Sequence, residues 1–276
     1  MTSVLTIDDY DLSEAAEVAA DYGSGRYGYM VTPNVDHVIR HYDDSQFRFL
    51  YNQASYVLLD SRFLSRTCSL MRKAIPRVCL GSDLTRVLLT KKIKSRDRVV
   101  LVGGTPAQAE FLRSKFQLDG LHHVDPPMNF IHDPDAVEAC LRSIEAASPF
   151  RFCFLAIGSP QQEIIAYKLK ERGIARGLAL CVGAAINFMT GAERRAPGWM
   201  QLFGIEWLYR LIQNPRRMAR RYLVRGPRIF FLLPQMEIRL RRHAAKKSEA
   251  REFAPAPAPA LPVSTAPIIE TPSQAA

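Results

Sequence analysis

Residues 152–163 read FCFLAIGSPQQE. Six apolar residues run without a polar break, then come a glycine, a proline and a polar string suited to a first helical turn. An unbroken apolar run of this length fits a strand buried on both faces. Gly158 closes it, and a glycine turn leading into a helix N-terminus lets backbone N–H groups approach an anion. Strand, turn and helix in this order form the repeating unit of a parallel sheet.

The unit recurs on both sides. Val99–Val102 (VVLV) precedes Gly103-Gly104-Thr105 and a helix from Pro106, and Leu178–Val182 precedes Gly183. Upstream, Tyr29–Thr32 reads as a strand end, Val35–Leu50 as a helix, and Ser55–Leu59 as a buried strand running into Asp60. The alternation predicts an α/β fold with a Rossmann-like, mostly parallel sheet flanked by helices. Ligands of such sheets gather at the carboxyl ends of the strands, where Asp60, Gly103, Gly158 and Gly183 fall. Neither glycine turn is a GxGxxG or a P-loop, so classical dinucleotide or ATP binding has no motif here.

The net charge of +10 is unevenly placed. Fourteen of the 37 basic residues, but three of the 27 acidic ones, lie between Gly191 and Lys247. The whole basic excess therefore sits in one C-terminal segment, which suits a diphosphate, anionic lipid or nucleic acid. From Trp199 to His243 the pattern reads helical. From Ser248 the chain turns Pro- and Ala-rich, with little to bury, and reads as a disordered tail. The expected organisation is a core over 1–190, a basic helical appendage over 191–247 and a tail over 248–276. The five cysteines are scattered, none in a CxxC pair, and read as buried thiols of a cytosolic protein. The acidic N-terminus predicts no signal peptide, and no apolar run reaches spanning length. Ile229–Leu233 is long enough only to dip into a membrane interface.

Several residues bear on chemistry. Thr32-Pro33-Asn34 fits helix capping and equally fits two polar side chains aimed into a cleft. Asp60 fits a turn or a general base at the sheet mouth. In Gly158-Ser159-Pro160-Gln161-Gln162-Glu163, Gln162 and Glu163 suit sugar hydroxyls, while the string also fits a plain turn into a helix. Arg210, Arg217 and Arg220, at spacings of seven and three, fall on one face of an uninterrupted helix. A run of arginines is usually a solvated face, but here Trp199, Trp207, Tyr209 and Tyr222 interleave with it. Pro215 stands in the run and should start or kink a helix.

Taken together, TPN at 32–34, Asp60, RVCLGSDL at 77–84, GSPQQE at 158–163, VGAAINFMTGAERRAP at 182–197 and GIEWLYRLIQNPRRMARRYL at 204–223 resemble the WecG/TagA/CpsF glycosyltransferase family, in the family's order over roughly residues 5 to 225. The resemblance implies inverting, metal-independent transfer, without a cofactor, from a UDP-sugar to a polyprenyl-diphosphate-linked acceptor in bacterial surface or exopolysaccharide synthesis. It implies Asp60 as the base, Thr32 as a catalytically important threonine, and Asn34, Arg77 and Gln162 as pocket residues. Arg210, Arg217 and Arg220 match arginines of an appendage that completes the site at the membrane. The turns at Gly103-Gly104 and Gly158, with Pro160, Glu163 and Asn187, join the expected substrate-binding set. Two departures concern the donor sugar. Ser61-Arg62 follows the aspartate where the family usually has glycine, and Ala184, Ala185 and Asn187 replace a Gly-Gly pair and an aspartate. The expected partners are thus a UDP-sugar, a lipid-linked acceptor and an anionic membrane on the cytoplasmic side. A nucleic-acid binder and an inactive scaffold of a polysaccharide complex are the alternatives; no recognised nucleic-acid motif supports the first.

Overall fold

In a computed structural model of the chain, residues 3–242 are described. The tail from Ser248, and the basic residues after Arg242, lie outside them.

Eight strands are described, five of them where apolar runs predict them and the first, fifth and eighth beyond those runs. They are β1 (Ser3–Asp8), β2 (Tyr27–Val31), β3 (Tyr56–Val57), β4 (Val99–Val102), β5 (Leu121–Val124), β6 (Phe152–Leu155), β7 (Gly177–Cys181) and β8 (Met236–Arg241). Six of them build one parallel sheet in the order β3-β2-β7-β6-β4-β5. Successive side chains alternate between its faces. Val100, Cys153, Leu155, Ala179 and Cys181 pack with the helices Val35–Asp43 and Gln161–Arg172. Leu101, Phe152, Phe154, Leu178 and Leu180 pack on the other face with the helices Leu12–Ala20 and Pro106–Phe116. Both faces are therefore covered, as the unbroken apolar runs require.

The chain leaving β2 turns to the first face, while the chain leaving β7 turns to the second through Ala185 and Ile186. β2 and β7 are neighbours in the sheet. Oppositely directed exits open a crevice between their carboxyl ends, the usual ligand position in open α/β sheets. All five cysteines are free and buried.

Three expectations need correction. The predicted Val35–Leu50 helix is two helices, Val35–Asp43 and Ser45–Asn52. Asp44 is extended at φ −118° and caps the second helix by accepting from Gln46 N and Phe47 N. That local capping outcompetes helix continuation. The basic segment is helical as far as Gln235, but its described end is strand β8, paired in parallel with β1 from Ser3↔Met236 to Asp8↔Arg241. Nor is Ile229–Leu233 a membrane-dipping run, because Ile229, Leu232 and Leu233 are buried in the core and only Phe230 and Phe231 face outward.

Candidate active site

The crevice is a cleft of about 620 Å³, within the range of small-molecule sites. Its floor comes from the carboxyl ends of β2, β3, β6 and β7. Its other wall is residues 193–230 of the basic segment, which crosses the mouth as a strap.

Asp60 lies on the floor, after the short β3. Its backbone N–H donates to Pro33 O at 2.9 Å, and its Oδ1 accepts from Gly81 N at 3.2 Å. Thr32, at the end of β2, is buried and donates through Oγ1 to Cys181 O at 3.2 Å. Gly81 binds one oxygen of Asp60, and a Cβ at that glycine would lie only 3.0 Å from Thr32 Oγ1. The hydroxyl and the carboxylate thus converge on one glycine, where a Cβ would press on the Thr32 hydroxyl. Surrounding protein desolvates Asp60 and pushes its carboxyl from 3.8 up to about 7. Arg210, the Gly81 N–H and Arg195 pull against that rise, and Glu206 adds to it. A carboxylate with that acidity at a cleft floor is suited to general-base work near neutral pH.

The first helix after β2 adds polar groups. Asn34 caps it, accepting from Asp36 N at 3.0 Å and His37 N at 3.4 Å, and the same Oδ1 accepts from Arg221 Nη2 at 3.1 Å. Capping and cleft contact are therefore both its roles. Asp36 pairs with Arg40 at 3.5 Å and Arg221 at 3.7 Å. His37 receives no net help from its surroundings. Burial, with Arg221 and Arg40, lowers it to about 3 and keeps it neutral, its Nδ1 3.1 Å from Tyr51 Oη.

After β6, Gly158 has φ +79° with open space where a Cβ would sit, so it faces the cleft in a conformation that favours glycine. Gln162 lines the cleft and ties two turns together, accepting from Gly183 N and donating to Glu163 Oε1, each at 3.0 Å. From the strap, Arg210 lies 5.2 Å over the Phe188 ring. Arg62 pairs with Glu206 at 2.8 Å, joining core to strap.

Thr32, Asn34, Asp60, Gly158, Gln162 and Arg210 thus meet in one cleft. Other expected residues lie outside its lining. Arg77 is held by Asp9, Asp11 at 3.2 Å and Glu14 at 2.6 Å, a cluster it reaches because strand β1 and the following loop pass beside it. Gly103 locks turns together instead, since a Cβ there would meet Ile157 Cγ2 at 2.8 Å; Gly104 sits against Gln108. Pro160 starts the helix Gln161–Arg172, behind the cleft wall. Glu163 is fully buried, and its carboxyl is raised to about 6 by that burial, so it supports Gln162 rather than meeting a sugar. Asn187 accepts from Gln108 Nε2 at 3.1 Å and donates to Glu193 at 3.3 Å, bracing the loop after β7. Arg220 is exposed, and its neighbour Arg221 enters the cleft. Placing Arg210, Arg217 and Arg220 on one face requires one continuous helix, but Asn214 (φ −137°, ψ 67°) breaks it and a new helix begins at Pro215. Arg217 lies on that second helix, Pro215–Ala219.

The sequence reading passed over Asp36, Arg62, Phe188, Glu206 and Arg221, all lining the cleft. Asp36 follows the singled-out Asn34 by two positions, and Arg62 follows Asp60 by two, so proximity alone carried that signal. A family model described as the glycosyl transferase WecG/TagA/CpsF family matches residues 2–243, and the chain belongs to that family.

Proposed function

With that family membership as the premise, we propose that the protein is an inverting glycosyltransferase. It moves a sugar from a UDP-sugar to a polyprenyl-diphosphate-linked acceptor in bacterial surface-polysaccharide synthesis. The observation that supports this best is Asp60: a desolvated carboxyl near neutral acidity, at the floor of a cleft whose strap wall carries arginines. In this reading Asp60 accepts the proton of the acceptor hydroxyl as its oxygen attacks the anomeric carbon. The bond to the UDP oxygen breaks on the opposite face, which needs one base and no second carboxylate. Arg210, Arg221 and the N–H groups after Gly158 meet the charge gathering on the diphosphate. Thr32 orients the floor through Gly81. The transfer proceeds without a metal ion, because guanidinium groups do the work a cation would do.

In the same reading, 1–190 is the catalytic core and 191–247 the part that completes the site at the inner face of the cytoplasmic membrane. Exposed Trp199, Leu202, Phe203 and Phe231 supply apolar contact, beside exposed Arg216, Arg220 and Arg225. No helix among the described residues is long and apolar enough to cross a membrane. The nucleic-acid alternative loses force because Arg195, Arg221, Arg228, Arg239 and Arg241 are paired with carboxylates of the chain rather than displayed as a free basic face.

The test is a panel of UDP-sugars offered with a short-chain lipid-diphosphate-sugar, read by UDP release with and without EDTA. Acceptor-dependent release that survives EDTA is expected. Release that needs Mn²⁺ or Mg²⁺, or no acceptor-dependent release from any donor, contradicts the proposal.

A further inference from the structure

The strap is thinly attached along its middle. The helix Glu206–Gln213 and the turns over Arg220–Arg228 bury no residue, and the intervening helix buries Met218. Apart from Met218 and the stacking of Arg210 on Phe188, its attachments include polar ones: Arg62 with Glu206, Arg221 with Asn34, and Arg228 with Asp43, with Arg66 bonded to the carbonyls of Leu202 and Phe203 just before them. Beyond Arg228 the character changes. Ile229, Leu233 and Met236 are buried, and the chain then adds β8 to β1. At the last pair of that ribbon, Arg241 grips Asp8 with two hydrogen bonds, Nε to Oδ1 at 2.7 Å and Nη2 to Oδ2 at 2.9 Å. Asp8 is completely buried, and its Oδ2 also accepts from Val57 N at 2.7 Å on strand β3, three residues before Asp60. One carboxylate therefore joins the strap's far end to the strand that carries the catalytic floor.

We propose that the β1–β8 ribbon is the latch that holds the strap across the cleft, with Asp8 and Arg241 as positioning residues for Arg210 and Arg221. The inference rests on the reading of Asp60 as base and of these two arginines as diphosphate ligands. Neither Asp8 nor Arg241 lines the cleft, so neither touches substrate. They act by fixing where the strap arginines stand relative to Asp60. The groups facing Asp60 are Arg210 and Glu206 from the strap, Arg195 from the preceding loop, the Gly81 N–H, and Cys79 and Tyr51 behind the floor. Arg210 opposes the upward shift of Asp60 most strongly. If the strap lifts, the Arg210 and Glu206 charges and part of the desolvation of Asp60 change together, so Asp60 no longer titrates where it does under the closed strap.

The experiment uses the full-length protein and compares wild type with Arg241→Met and Arg241→Lys. Arg241→Met is expected to cut kcat/KM at least ~10-fold and to displace its acid limb by about half a pH unit or more. Arg241→Lys keeps the charge but not the fork geometry, and should lose less. Rescue comes from a tether. Thr6 and Arg239 are register partners on the outward side of the ribbon, so Thr6→Cys with Arg239→Cys can form a disulfide across it. In the Arg241→Met background, oxidation should restore turnover and the acid limb, and reduction should remove both gains. An unchanged kcat/KM and acid limb in Arg241→Met, with only a lowered Tm, would overturn the proposal. So would a tether that forms without restoring turnover, or Arg241 variants that fail to fold even when tethered. Failure of the Asp60 reading shows separately, as near-normal turnover of Asp60→Asn, whatever the tether does.

Discussion

At the scale of single residues, Asp60 is a carboxyl kept from water and opposed by only part of the cationic charge nearby. Its upward shift to about 7 has two consequences of opposite sign. As a base it works only when deprotonated, so kcat/KM should rise with pH through about 7 and level above it. For stability the sign is reversed. The unfolded chain releases this proton near pH 4, the folded protein near pH 7. Between those values the folded state binds more protons, so stability falls as pH rises through the window. Asp60→Asn removes the charge while keeping an oxygen for the Gly81 N–H. At pH 8 it should raise Tm by about 2–4 °C, equivalent to roughly 1 kcal/mol in a chain this size, with the difference vanishing toward pH 4. A lower Tm for the variant at pH 8 would show that the ionised carboxylate stabilises the fold. A kcat/KM that is flat from pH 6 to 8 would remove Asp60 from the base role.

At the scale of elements, the break at Asn214 decides which arginines act. Arg210 and Arg221 enter the cleft, while Arg220 is exposed. With a soluble short-chain acceptor, Arg210→Ala and Arg221→Ala should each cut kcat/KM by about 10²-fold, as expected when a donor to a leaving diphosphate is lost. Arg220→Ala should stay within about twofold of wild type. Equal losses at 220 and 221 would mean that the strap turns differently when substrate is bound. The same elements explain what could be read from the sequence. The strands β4, β6 and β7 were legible because burial on both faces leaves an unbroken apolar run, and Pro106 after Thr105 marks the start of its helix, where Thr105 and Gln108 form a capping box. The floor residues Thr32, Asn34 and Asp60 were legible because they end such runs. Strand β8 was not. Its inward residues, Met236 and Ile238, alternate with charges inside an arginine-rich string, and its partner lies at the other end of the chain. Arg77 was misplaced for a related reason: local spacing does not show that an acidic cluster more than sixty residues upstream folds beside it. Pro215 was visible as a break, but the register of the arginines beyond it depends on tertiary packing.

At the scale of the whole molecule, part of the concentrated basic charge holds the segment to the core, through Arg195, Arg221, Arg228, Arg241 and Arg242. The cations left exposed at the rim, Arg216, Arg220 and Arg225, sit beside the apolar groups that face outward. Association with anionic vesicles should therefore weaken as salt rises, since screening acts over about 8 Å at physiological ionic strength. Replacing these three arginines by Ala should weaken it further, at about 1 kcal/mol per basic residue, while turnover of a soluble acceptor stays near wild type. Salt-independent binding would make the apolar rim alone the anchor. Replacing Arg241 tests something else, the ribbon that closes the fold. These scales meet in the proposed function, in which one carboxylate at the sheet mouth drives an inverting transfer under a strap that supplies the counter-charge. The most direct test is the anomeric configuration of the product formed from an accepted UDP-α-sugar and a lipid-diphosphate-sugar, determined by NMR for wild type and Asp60→Asn. The account predicts a β-linked product from wild type and at least ~100-fold less of it from Asp60→Asn; an α-linked product, or a near-normal yield from the variant, would contradict it.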